Sequence, residues 1–322
     1  MSEPVVWFTL NGWPVQAYTV VLVLAAVLGT GLMWIRSKDF GLKKSTAFGY
    51  VLCAAPLALF LARLVYCAVR YEWIFQNEMG EFDGLWHFFE WGNGGMNIIG
   101  ALAGCLLAGA LCARLTKQKA GAVLDCAALA GALLIAVARF AQPLSGQGFG
   151  DLIESPAFSF FPLAIENEWG EWMLAVCIIE GVLALAVFSF LLVKAQKAHR
   201  PGVLSLYFLV LFCASQIMPQ SLRSDDVLFI FIFARVTQIG YVIFLIGAAA
   251  VAGVWAVRRT GVTASLTIEW FLLLLGIGVC IGAEFALDKT NLPDLLVYAV
   301  MIAALLGMAA LGARRIKKED IL

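Results

Sequence analysis

The chain is 322 residues long, 62% hydrophobic and only 14% charged, with 22 basic and 22 acidic side chains and no net charge. Soluble domains carry about 45–50% apolar residues, so this composition excludes an ordinary soluble globular fold. The balanced charge likewise gives no sign of a nucleic-acid-binding face.

The apolar residues fall into runs of membrane-spanning length, about 17–25 residues. Taken along the chain, nine helices are predicted near Val15–Ile35, Ala47–Val69, Gly94–Cys112, Val123–Phe140, Trp172–Val193, Val203–Met218, Val236–Val257, Leu266–Phe285 and Leu292–Gly312. The expected fold is all-α, a polytopic integral membrane protein. The sixth run is short, and the fourth carries Arg139 near its end. Met1-Ser2-Glu3-Pro4 lacks the basic segment of a cleavable signal peptide, so the first helix is expected to remain. All eight cysteines lie in or beside apolar runs, without a loop pair for a disulfide framework or a CxxC for a metal. They read as packing residues, and neither metal nor cofactor is expected.

Charge alternates sharply from one connection to the next. One set holds Arg36, Lys38, Lys43 and Lys44, then Arg114, Lys117 and Lys119, then Lys194, Lys197 and Arg200, then Arg258 and Arg259, and finally Arg314, Arg315, Lys317 and Lys318. The other set is acidic, with Glu72, Glu78, Glu81, Asp83 and Glu90, then Asp151, Glu154, Glu166, Glu168 and Glu171, then Asp225 and Asp226, then Glu284, Asp288 and Asp294. Basic connections stay cytoplasmic. The expected orientation therefore has the N-terminus outside and the C-terminus cytoplasmic, which requires an odd number of spans.

Arg63, Arg70, Arg139, Arg223, Arg235 and Lys289 break this pattern. An Arg at bilayer depth costs on the order of 2.5–3.5 kcal/mol on insertion scales, so it needs a partner, a role or a path to the interface. Three stretches on the acidic side hold candidate chemistry. Trp91 to Gly104 is glycine-punctuated, and Gly100 with Gly104 is a small-xxx-small pattern for close helix packing. Ala138 to Gly150 places Arg139 at a helix end before a turn-rich loop; such loops either cradle a phosphate or form ordinary turns. Gln220 to Asp226 sets Arg223 beside carboxylates, a default ion pair whose guanidinium fork also matches a lipid phosphate.

In this order the three stretches resemble the prolipoprotein diacylglyceryl transferase family, over roughly Trp13 to Val257. Gly94-Gly95-Met96 and Gly104 resemble its G-G-M/L-x-F-H-G-G-L-x-G motif; Arg139, Gly146 and Gly150 its G-R-x-G-N-F-x-N-x-E-x-x-G signature; Arg223 and Asp226 its F-R-x-P-D motif. Tyr18 stands where the family has a functional Tyr, Glu180-Gly181 matches a Glu-Gly in the fifth span, and Pro201-Gly202 precedes the sixth. Several positions depart from the family. Ile99 replaces its His, Ala101 a glycine, Gln142 its Asn and Gln147 its Glu; Gln216 stands where the family has an Arg, and Asp225 where it has a Pro.

The resemblance implies a seven-helix core over residues 1–264 with outer loops at about 70–93 and 142–171, followed by a two-helix extension over 265–322 with a basic tail. It implies transfer of diacylglyceryl from phosphatidylglycerol to the lipobox cysteine of a preprolipoprotein signal peptide, at the outer face of the plasma membrane. Tyr18, Arg139 and Arg223 are the implied catalytic residues. Arg139, Arg223, Gly146, Gly150, Gly94 and Gly95 are the implied phospholipid-binding set. With the family His absent, Glu180, Asp226 or His87 could accept the thiol proton, and the sequence selects none of them. A second reading stays open, a non-catalytic relative that binds anionic lipid or a lipoprotein signal segment. A transporter would show an internal repeat of spans, and none is clear.

Overall fold

The computed structural model describes residues 4–10, 12–77, 79–90, 95–197, 199–225, 228–229 and 235–320. Within them, a hairpin of β1 (Val6–Leu10) and β2 (Trp13–Gln16) leads into α1 (Ala17–Arg36). Next come α2 (Ser45–Val69), a short α3 (Tyr71–Phe75), α4 (Ile98–Thr116) and α5 (Ala120–Ala141). A second hairpin, β3 (Ala164–Glu166) with β4 (Trp172–Leu174), precedes α6 (Val176–Lys194) and α7 (Val203–Ser221). The chain ends with α8 (Val236–Thr260), α9 (Ala264–Lys289) and α10 (Asp294–Glu319).

Among the described residues, nine helices are long and apolar enough to cross a bilayer, so the chain is a multi-pass membrane protein. Several boundaries differ from those predicted, the largest at the last helix, which runs past Gly312 to Glu319. The third span begins at Ile98, where Asn97 caps it by accepting the Ile99 amide at 2.8 Å. The fifth begins at Val176, because Trp172–Leu174 is strand paired to Ala164–Glu166. The sixth continues past Met218 to Ser221, through Pro219. Glu284, assigned by the charge pattern to a connection, lies inside α9.

The sixth span forms the central post. Its sequence is largely apolar on every side, which suits a helix surrounded by others, and 15 of its 19 residues are buried. Helices α5, α6, α8 and α10 pack around it. Between α2 and α4 the backbones nearly touch. A Cβ at Gly100 would lie 2.1 Å from the Leu61 carbonyl oxygen, and one at Gly104 would lie 2.6 Å from Ala58 Cα. Only glycine permits that approach.

The basic end of the bundle is tied by charge. Asp125 of α5 accepts the Gly202 and Ser205 amides at 2.7 Å each, capping α7 from a neighbouring helix. Asp320 accepts the Arg200 amide at 3.0 Å and pairs with His199 Nδ1 at 2.5 Å. Arg315 pairs with Glu269, and Arg259 with Glu319 at 3.1 Å. One set of buried side chains, including Val210, Leu245, Met301 and Ile316, runs from α7 and α8 into α10.

Candidate functional site

At the opposite end, where the acidic connections lie, α5, α6, α7 and α8 bury a polar cluster among apolar walls. Arg139 sits in the last turn of α5, Glu180 in the second turn of α6, and Arg223 in the turn that follows α7. Arg139 Nη1 is 3.1 Å from Glu180 Oε2, and Arg223 Nη1 is 3.4 Å from the same oxygen. Two guanidinium groups from distant parts of the chain therefore converge on one carboxylate oxygen. Glu180 is 0% exposed, and Arg139 is 7% exposed. A buried carboxylate in a membrane helix demands such pairing.

The remaining valences are largely filled. Arg139 Nη2 donates to the Tyr241 hydroxyl and Nη1 to Gln142 Oε1, each at 3.2 Å. Gln220 donates to Glu180 Oε1 and accepts from Thr237 at 2.7 Å; Gln216 donates to the Glu180 carbonyl at 3.3 Å. Arg223 grips Asp225 through two bonds, at 2.8 and 2.5 Å. Asp225 also accepts the Gly148 amide at 2.7 Å, which ties the loop after α5 to the turn after α7. Burial would raise the Asp225 carboxyl, but the bonds and charge of Arg223 with the Gly148 amide hold it below the ordinary range. Burial opposes the charge on Arg223, yet Asp225 and Glu180 outweigh it and raise its pKa. Two positive and two negative groups thus balance in the resting cluster. Two buried atoms in it lack a hydrogen-bond partner, Arg139 Nε and Gln216 Oε1.

Tyr18, the second residue of α1, lies within electrostatic range of both Arg139 and Arg223. Gly146 takes φ +71° and closes the turn after α5. Gly150 lies so close to its neighbours that a Cβ would fall 2.5 Å from the Leu222 carbonyl oxygen. The amides of both glycines are already bonded within the protein, Gly146 to Pro143 and Gly150 to Leu174. They shape the loop and leave no amide cradle open. Gly94 and Asp226 fall outside the described residues. Gln147, at the signature's Glu position, is exposed.

Arg63 and His87 form a separate arrangement. Arg63, 0% exposed in α2, donates to the carbonyls of Phe88, Gly95, His87 and Glu90 at 2.9–3.4 Å. It clamps the loop before α4, so Gly95 belongs to this clamp and not to the Arg139 cluster. Both His87 ring nitrogens are engaged, by Glu90 at 2.8 Å and Asp83 at 3.0 Å, and these bonds raise its pKa. A histidine held this way has no nitrogen free for a thiol.

Residues beyond the sequence motifs complete the site. Tyr241 anchors Arg139, and Gln220 anchors Glu180; polar residues at 216, 220, 237 and 238 inside apolar spans were the available signal. Ile99 also lies nearby. Its side-chain carbons fill the space over Gly240, 2.4–2.6 Å from where a Cβ there would stand, and Gly240 precedes Tyr241.

Among the described residues, nine helices apolar enough to cross a bilayer, with buried Arg139 and part-buried Arg223 gathered at one end, define a polytopic membrane protein with a polar site. The chain belongs to the prolipoprotein diacylglyceryl transferase family, whose model matches residues 4–255. It is 22% identical over 224 residues to a phosphatidylglycerol–prolipoprotein diacylglyceryl transferase of Clostridium novyi, covering 69% of this chain and 84% of that protein. It is 26% identical to the enzyme of the same name from Bacillus licheniformis over 250 residues, 76% of this chain and 89% of the relative. The Symbiobacterium thermophilum protein of that name is 26% identical over 249 residues, 76% and 90% of the two chains.

Proposed function

We propose that this protein transfers the diacylglyceryl group of phosphatidylglycerol to the lipobox cysteine of a prolipoprotein, at the outer face of the plasma membrane. The names of its relatives support the substrates, and the alternation of basic and acidic connections supports the orientation. The observation that carries the reading is the pair of guanidinium groups on one Glu180 oxygen.

In the reaction, the cysteine sulfur attacks the glyceryl carbon that bears the phosphate. A C–S bond forms, the C–O bond breaks, and glycerol phosphate leaves with the bonding electrons. Arg139 and Arg223 supply fixed positive charge where that phosphate charge develops. The thiol proton goes to Glu180. This single transfer does two things, because a neutral Glu180 no longer balances the arginines and leaves the cluster one net positive charge for the phosphate, with Asp225 still pairing Arg223. A free thiol has a pKa of about 8.5 and is already a few per cent thiolate near pH 7. Nearby cations raise that fraction, so the missing family His does not remove the nucleophile. Tyr18, within range of both arginines, orients the headgroup.

Ile99 and Gln147 stand where the family has proton-handling side chains, and this favours a second reading, a lipid-binding protein that no longer turns over. Membranes containing the protein, radiolabelled phosphatidylglycerol and a lipobox peptide distinguish the two. The transferase reading expects a labelled thioether peptide, reduced about 10²- to 10³-fold in Arg139→Ala. No product above the Arg139→Ala background leaves the binding reading.

A further inference from the structure

Helix α9 lies beyond residues 4–255, the part that matches the family, yet one of its side chains reaches the turn that carries Arg223. Glu284 Oε1 accepts from the Ser221 hydroxyl and from Gln238 Nε2, the latter at 2.6 Å. Gln238 Nε2 also meets Ser221 Oγ at 3.0 Å and the Ile217 carbonyl at 3.3 Å, closing a three-residue lock between α7, α8 and α9. Ser221 is the last residue of α7, two positions before Arg223.

That end of α7 is weak by construction. Pro219 has no amide to donate, so the final turn lacks one rung of its ladder. The closing bonds are of the tighter i→i−3 kind, Leu222 to Pro219 at 3.1 Å and Arg223 to Gln220 at 3.3 Å. Two outside groups hold the turn instead. Arg235 donates to the carbonyls of Arg223 at 3.0 Å and Ser221 at 3.4 Å, gripping the backbone. Glu284 grips the Ser221 side chain. A half-buried carboxylate in the last turns of a membrane helix is costly unless it has such work.

We propose that Glu284 is a positioning residue for Arg223, so that the C-terminal helix pair is part of the scaffold of the polar site. The substrate in this inference rests on the transferase reading above; the positioning itself does not. Without the Glu284 acceptor, the turn at 221–223 frays and Arg223 leaves the Glu180 oxygen that it shares with Arg139.

Hydrogen exchange on the purified full chain tests this directly. Glu284→Ala is expected to speed exchange of the amides at 220–225 about tenfold, the scale of a lost hydrogen bond to a charged group. Glu284→Gln keeps a carbonyl acceptor and is expected to restore protection to within about threefold of the parent. Amides 203–207, capped by Asp125 at the far end of α7, should not change in either variant. Unaltered exchange at 220–225 in Glu284→Ala overturns the proposal; so does uniform loosening of all of α7, which marks a merely structural contact. The transfer assay adds a second readout. Glu284→Ala should raise KM for phosphatidylglycerol more than it lowers kcat, with an effect not additive with Ser221→Ala. If the parent protein transfers nothing, the function proposed above fails, and the exchange result still decides the role of Glu284.

Discussion

Glu180→Gln is expected to lower the transfer rate about 10²- to 10⁴-fold, the range of a lost general base, without weakening phosphatidylglycerol binding. The two effects separate because Glu180 has two functions. Its Oε2 balances Arg139 and Arg223, at 3.1 and 3.4 Å. Glutamine preserves the shape and one of the two acceptor oxygens, of which Oε1 faces Gln220 and Oε2 the arginines, but it carries no charge and takes no proton. With Asp225 still on Arg223, the cluster then presents one net positive charge to an anionic headgroup. Steady-state kinetics should show a large fall in kcat with KM unchanged or lower. A rise in KM with kcat preserved would mean that Glu180 serves only to organise the arginines.

Ile99→His is expected to accelerate transfer by about tenfold or more and to introduce a pH dependence in the range where histidine titrates, near 6.5 before perturbation. Ile99 packs over Gly240, and the next residue of α8, Tyr241, holds Arg139 at 3.2 Å. Position 99 is where the family has its His, and an imidazole there is expected to take the thiol proton. The same substitution should restore most of the rate lost in Glu180→Gln, since histidine then replaces the missing acceptor. Below its own pKa the imidazole is protonated and the gain disappears, so the rate should climb as pH rises from about 5 to 8. If Ile99→His changes neither background, position 99 lies outside the reaction centre.

The bilayer explains why so much of the fold was legible in the sequence. A spanning helix must be long and apolar, and each of nine such runs became a helix. Where a boundary was misplaced, a local interaction overrode hydropathy. Trp172-Met173-Leu174 is apolar enough to extend α6 but pairs with Ala164–Glu166 as strand. Gly95 and Met96 belong to a loop held by Arg63 before Asn97 starts the helix.

The site was legible only in part. Arg139, Glu180 and Arg223 announced themselves as ionisable residues in or beside apolar spans, where an unpaired charge is costly. Their common meeting point could not be read from spacing, because residues 139, 180 and 223 come together only through the packing of α5, α6 and α7. Tyr241 lies inside an apolar run, and nothing in its spacing ties it to Arg139. His87 looked available, whereas Asp83 and Glu90 occupy both of its nitrogens. Glu284 was grouped with loop carboxylates because it lies near a span end, and only its bonds to Ser221 and Gln238 reveal that it faces inward.

In the proposed site Arg139 and Arg223 together grip one anionic phosphate. The dissociation constant of a short-chain phosphatidylglycerol, measured on the purified full chain in neutral detergent, tests it most directly. Arg139→Gln and Arg223→Gln should each weaken binding about tenfold or more, as expected for a lost charge-assisted contact, while a diacylglycerol of equal chain length, which has no phosphate, binds all forms alike. A doubly substituted protein that binds phosphatidylglycerol as tightly as the parent would contradict the account.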